Sequence, residues 1–260
     1  MNLLKRTVKS AFHAVGLDVV RRQEPSPINQ RYPTELTRED REIVDYVKSR
    51  RLTSVEEPRL WATVMACKYV VERGIEGDFV ECGVWRGGLA LAAAAVFRRH
   101  RSARRVHLFD TFAGMTPPGE RDTSLADDTP ALAEFQRHDR ATHNEWCYAP
   151  LDEVRGHFRD AGLLDDSIVF VQGDVRRTLD DPSRLPAQIA VLRLDTDWYE
   201  STRKELRVLY PRLRVGGVLL IDDYGHWAGS RKATDEYFSS EAPRPFLQYT
   251  DYAGRTGVKV

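Results

Sequence analysis

Cysteine is scarce in this chain. It has three in 260 residues, Cys67, Cys82 and Cys147, all far apart. They match no zinc spacing and no disulfide framework, so a reducing, cytoplasmic setting is expected. Cys82 falls in a strand-like run and reads as a small buried hydrophobe. Net charge is missing too: 39 Lys and Arg face 39 Asp and Glu, and no global field favours nucleic acid. No apolar run approaches the ~18 residues of a membrane span. The phosphate-cradling loop G-K-[ST] is absent, and the one glycine-rich loop departs from G-x-G-x-x-G. What remains suits one α/β core with a lid or extension, without internal repeats.

Acids, by contrast, are concentrated. Asp195 and Asp197 stand in L-R-L-D-T-D-W-Y, and Asp222 and Asp223 in L-L-I-D-D-Y-G-H-W. Each pair follows an apolar, β-prone run, Ile189 to Leu194 and Val218 to Ile221. Such runs read as buried parallel strands, beyond whose C-terminal ends ligands bind in an open α/β sheet. Acids packed this closely repel unless a positive charge lies between them, and a hard divalent cation supplies it. Helix caps and solvated turns are the plainer reading of such acids.

A second signature is G-D-F-V-E-C-G-V-W-R-G-G-L-A-L-A-A-A-A-V-F, from Gly77 to Phe97. It reads as strand, glycine turn and alanine-rich helix, with Gly83, Gly87 and Gly88 allowing close approach of a ligand. A second strand ends at Asp110, where an acid suits a grip on ribose hydroxyls. Glu81 opposes a pyrophosphate but suits a cofactor with an amino group. S-adenosylmethionine has that group, a ribose and no phosphate.

Together, E-C-G-V-W-R-G-G, L-F-D-T-F-A-G-M, L-R-L-D-T-D-W-Y and L-L-I-D-D-Y-G-H-W resemble the macrocin O-methyltransferase family, over roughly Tyr69 to Phe238. The resemblance implies a Rossmann-like doubly wound sheet of the class I methyltransferase type. It also implies methyl transfer from S-adenosylmethionine to a sugar hydroxyl with Mg²⁺. The cofactor contacts expected from it are Glu81, Gly83, Arg86, Gly87, Gly88, Asp110, Thr111, Phe112, Gly173, Asp174, Val175 and Asp195. Asp195, Asp222 and Asp223 would hold the metal. Asp197 takes the role of general base, with His226 its rival. The acceptor would be a saccharide or glycoside, natural-product or cell-surface. A catechol or phenolic acceptor, a metal-dependent hydrolase and a binding module without turnover are the alternatives.

Residues 1–68 read as a helical extension and linker before a domain over 69–260. Residues 1–22 form a basic amphipathic pattern that suits either a membrane-surface or glycolipid contact, or packing on the core or on a second subunit; a homodimer is expected. Thr37 with Asp40 approximates a capping box, and Ser54 is a candidate N-cap. The polar stretch from Pro117 to Ala149 is too long for an ordinary βα turn and reads as a lid, with Trp146 and Tyr148 offering flat rings to a sugar. Helices are expected over Leu151–Ala161, Tyr199–Leu213 and Ser230–Ser240. Ile168–Gln172 reads as a strand, and Phe246–Tyr249 and Thr256–Val260 as closing strands.

Overall fold

The computed structural model describes residues 32–260, and the account below concerns the unit Glu35–Val260. The basic helix expected over residues 1–22 and most of the linker lie outside the described residues. Among the described residues the helices are α1 (Arg38–Ser49), α2 (Glu57–Glu72), α3 (Gly88–Arg99), α4 (Ala131–His138), α5 (Leu151–Asp160), α6 (Val175–Thr178), α7 (Tyr199–Leu209) and α8 (Ala228–Ser240). The strands are β1 (Asp78–Cys82), β2 (Val106–Asp110), β3 (Ile168–Gln172), β4 (Ile189–Leu194), β5 (Leu213–Ile221), β6 (Gln248–Tyr249) and β7 (Arg255–Val258).

The strands form one sheet in the order β3-β2-β1-β4-β5-β7-β6. β1 to β5 run parallel, while β7 pairs antiparallel with β5 and β6 with β7. Chain direction across the sheet reverses between β1 and β4, so a crevice opens beyond their C-terminal ends. Every residue of β4 is buried, which is why its sequence is an almost unbroken apolar run. Four of the five alanines of α3, Ala90, Ala92, Ala93 and Ala94, are buried as well, and small side chains let this helix lie close to its neighbours.

The capping box forms: Thr37 Oγ1 accepts from the Asp40 amide at 3.3 Å, and Asp40 Oδ2 accepts from the Thr37 amide at 2.9 Å. Asp40 is fully buried because it also meets Lys68 of α2 and Arg99 of α3, joining three helices. Ser54 is not a cap. α2 starts after Glu56, with Pro58 in its first turn, where the missing amide costs nothing. The helix expected to reach Leu213 stops at Leu209. Pro211 opens a tight 3₁₀ turn, and Leu213 pairs with Ile189, so Gly216 and Gly217 lie within β5.

The insertion carries α4 and is fastened to the sheet's C-terminal end. Asp122 is buried; its Oδ1 accepts from the Tyr199 amide at 2.8 Å and its Oδ2 from the Gly119 amide at 2.7 Å. A Cβ at position 229 would lie 1.9 Å from Asp122 Oδ1, so Gly229 leaves room for this acid. Trp198 Nε1 donates to the Thr116 carbonyl and the Leu125 amide to the His226 carbonyl, both at 2.8 Å. Trp146, Trp198 and Trp227 meet edge to face, with ring centres 5.1–6.1 Å apart. Asp122→Ala leaves the Tyr199 amide without its acceptor and should cost about 1–3 kcal/mol. Urea unfolding should show that loss, and hydrogen exchange should quicken across residues 117–149. Unchanged exchange there would mean the acid is not the anchor.

Candidate active site

A cavity of about 320 Å³ opens beyond the ends of β1 and β4. Its walls include Glu81, Gly83 and Gly88 from β1 and the glycine loop, Asp110 and Thr111 from β2, and Gly173, Asp174 and Val175 after β3. Asp195 and Asp197 follow β4, and Asp222, Asp223 and His226 follow β5. Trp146 and Trp227 complete one side. The topology thus gathers most of the expected residues in one place.

Gly83 has φ 82°, and a Cβ there would sit 1.8 Å from the Asp195 carbonyl; the loop can cross β4 only as glycine. Asp110 fastens that loop. Its Oδ2 accepts from the Val84 and Trp85 amides at 2.6 and 3.0 Å, and its Oδ1 from Phe112 at 2.7 Å. A ribose contact would be added to this role, which the sequence reading had not foreseen. Asp174 caps α6 through the Arg176 amide and pairs with the Arg176 side chain.

Four expected residues lie elsewhere. Arg86 bonds Glu153 and the Arg51 carbonyl, away from the cavity. A side chain at Gly87 would meet Val154 and Phe158, not a ligand. Phe112 is buried against Phe170. Tyr148 is 37% exposed and stacks on His143 at 4.2 Å, so only Trp146 of the expected ring pair faces inward.

The acids spaced as metal ligands overlap the expected set without matching it. Asp195, Asp197 and Asp223 each offer an oxygen, all within 4.8 Å of one another. Asp222 instead pairs with Arg59 of α2 and with Arg193 of β4. Asp223 Oδ2 is buried and has no hydrogen-bond partner among the described residues. Hard oxygen donors and an unsatisfied buried carboxylate fit a divalent cation.

Burial drives the electrostatics. It pushes Glu81 up to about 8 despite Arg193, and leaves Oε2 of Glu81 unpartnered. Burial and then the charge of Asp222 push Asp197 up to about 7. Burial raises Asp195 and Asp223 well above the carboxylate range, and the charges of Asp197 and Asp222 add to both. Arg193 is opposed by burial, but Asp195, Asp222 and Glu81 outweigh this and keep it charged. His226 is lowered by burial and by Arg59, so it is a neutral imidazole near pH 7. Asp197 Oδ2 accepts from Trp227 Nε1 at 3.0 Å, which fixes its orientation.

Residues 5–254 match the family model described as macrocin O-methyltransferase. The chain belongs to that family. It is 43% identical over 156 residues to the 8-demethyl-8-(2,3-dimethoxy-alpha-L-rhamnosyl)-tetracenomycin-C 4'-O-methyltransferase of Streptomyces olivaceus, covering 60% of this chain and 56% of that protein. To the mycinamicin III 3''-O-methyltransferase of Micromonospora griseorubida it is 32% identical over 247 residues, 91% of this chain and 87% of the relative. The solved structure of the O-methyltransferase NovP superposes with a TM-score of 0.70 at 32% identity, covering 80% and 82% of the two chains. The fold is therefore that of a methyltransferase of this family, as its motifs implied.

The structure adds residues that sequence reasoning missed. Arg193 was visible as a charge inside an apolar strand; Arg59, Thr53, Ser54 and Tyr252 left no local signal. Glu205 of α7 is another. It is 0% exposed, its Oε1 accepts from Thr196 Oγ1 at 2.8 Å, and burial pushes it up to about 8. An unfolded glutamate titrates near 4.3, so the folded value is the higher one. The stability this group contributes is complete below that pH and is lost as pH rises through about 8. Glu205→Gln, neutral throughout, should gain Tm over the parent progressively from about pH 5 to 8 and by a constant amount above. A pH-independent difference would show that Glu205 is ionised in the fold.

Proposed function

We propose that this chain methylates a sugar hydroxyl of a natural-product glycoside, with S-adenosylmethionine as methyl donor and a divalent cation bound at the acceptor oxygen. The observation that carries the reading is the pairing of two unsatisfied carboxylates in one cavity. Glu81 Oε2 lies on the β1 side and Asp223 Oδ2 on the β5 side. The first suits the cofactor's ammonium, the second a cation. The relatives, whose names describe methylation of a rhamnosyl unit and of a 3'' position, support the sugar.

Glu81 would orient the amino-acid end of the cofactor, and the loop fastened by Asp110 would pack on its nucleoside. Asp195 and Asp223 would hold the cation, with Asp197 in reach of both. Bound there, the cation supplies a charge that lowers the pKa of the acceptor hydroxyl. Asp197, whose Oδ2 accepts from Trp227 Nε1, takes the proton. Trp146 and Trp227 present flat rings to the sugar.

Asp195→Asn and Asp223→Asn should each weaken Mn²⁺ binding about 10- to 100-fold, the ~1.5–3 kcal/mol of a charged contact, measured by electron paramagnetic resonance. Both should leave calorimetric affinity for S-adenosylhomocysteine close to that of the parent. A saccharide panel with labelled cofactor then tests the acceptor. Turnover of catechols alone would reject the sugar, and full turnover after removal of metal with EDTA would reject the cation.

A further inference from the structure

β4 places a guanidinium where a parallel strand normally carries an aliphatic chain. Arg193 is 1% exposed, lies between Leu192 and Leu194, and pairs across the sheet with Glu81 of β1. Its three nitrogens turn to three carboxylates, one in β1 and two just past the ends of β4 and β5. Nε lies 3.5 Å from Glu81 Oε1, Nη1 lies 2.8 Å from Asp195 Oδ2, and Nη2 meets Asp222 Oδ1. The other oxygen of Asp222 is held by Arg59, which also pairs with Asp251 at 2.8 Å.

A lone buried counter-ion would need one partner. Arg193 instead touches the acid on the cofactor side of the cavity and two acids on the cation side. The planar fork of arginine holds several oxygens at fixed angles, which the point charge of lysine cannot do. We infer that Arg193 is a positioning residue: it aims the carboxylate of Asp195 and, by gripping Asp222, fixes the strand end that carries Asp223, so that the cation-binding oxygens are set before any ligand arrives. It touches no reacting atom, and it acts through Asp195 and Asp222. The inference rests on the cation reading above.

Arg193→Lys keeps the charge and loses the fork. The variant should unfold cooperatively, bind Mn²⁺ at least about tenfold more weakly than the parent, and show a smaller rise in Tm on adding Mn²⁺. Affinity for S-adenosylhomocysteine should fall less, because Glu81 is the most distant of the three partners. A folded Arg193→Lys protein that binds Mn²⁺ as the parent does would overturn the inference and leave Arg193 a structural counter-ion. If the variant does not fold, the parent decides. Its most slowly exchanging guanidinium resonances should shift when Mg²⁺ saturates the site, and unmoved resonances at saturation would equally overturn the inference. A parent that binds S-adenosylhomocysteine but no Mn²⁺ would refute the cation reading, and this inference with it.

Discussion

The buried negative charge at the end of the sheet is the constraint that the rest of the molecule serves. Glu81, Asp195, Asp197, Asp222 and Asp223 converge there, and among the described residues Arg193 and Arg59 oppose them from within. Ionised carboxylates out of water are costly unless paired. Asp195 and Asp222 are paired well, while Glu81 and Asp223 each keep an oxygen with no hydrogen-bond partner among the described residues. Such an arrangement is complete only with added positive charge or added protons, and it is this deficit that makes the cavity a site instead of a gap.

The scaffold makes the deficit tolerable. β1, β4 and β5 are parallel neighbours with closely packed apolar residues behind the acids, so the strand ends cannot splay to relieve repulsion. α2 adds Arg59 on one side of the sheet, and the chain's last hairpin adds Asp251 to hold Arg59 in turn. On the other side Asp122 and the tryptophan cluster clamp the insertion over α7 and α8. Polar strain at the centre is thus confined by packing all around it.

Much of this was legible in the sequence. β3 and β4 fall on the residues their apolar runs indicated; for β4 the reason is burial on both faces, which leaves little choice of residue. The aspartates that line the cavity were legible for the same reason, since each pair ends such a run. Less legible were contacts between segments far apart in the chain: Arg59 meets Asp251 across 192 residues, and nothing local marks either. Ring direction was also hidden. Trp146 faces the cavity and Tyr148 does not, because Cys147 between them adopts φ 52° and turns the chain. The partners of Asp222 were hidden as well: two guanidiniums, Arg59 and Arg193, reach it from elements distant in the chain.

The two halves of the cavity differ in how they are built. The half assigned to the cofactor comes from strand ends and the glycine loop, whose backbone is fixed by the sheet itself and by Asp110. The opposite wall of the cavity, which includes Thr53 to Val55, Trp146 and Tyr252, lies on connections outside the sheet. Connections of this kind can change sequence without disturbing the core, so acceptor choice can vary while the chemistry stays. The halves are still joined. Asp122 binds the insertion to the first amide of α7, two residues beyond Asp197, and Trp227 both packs on the insertion and donates to Asp197. An acceptor that settles against Trp146 and Trp227 therefore presses on the same side chains that orient the proton acceptor, and a poor fit there reaches the chemistry directly.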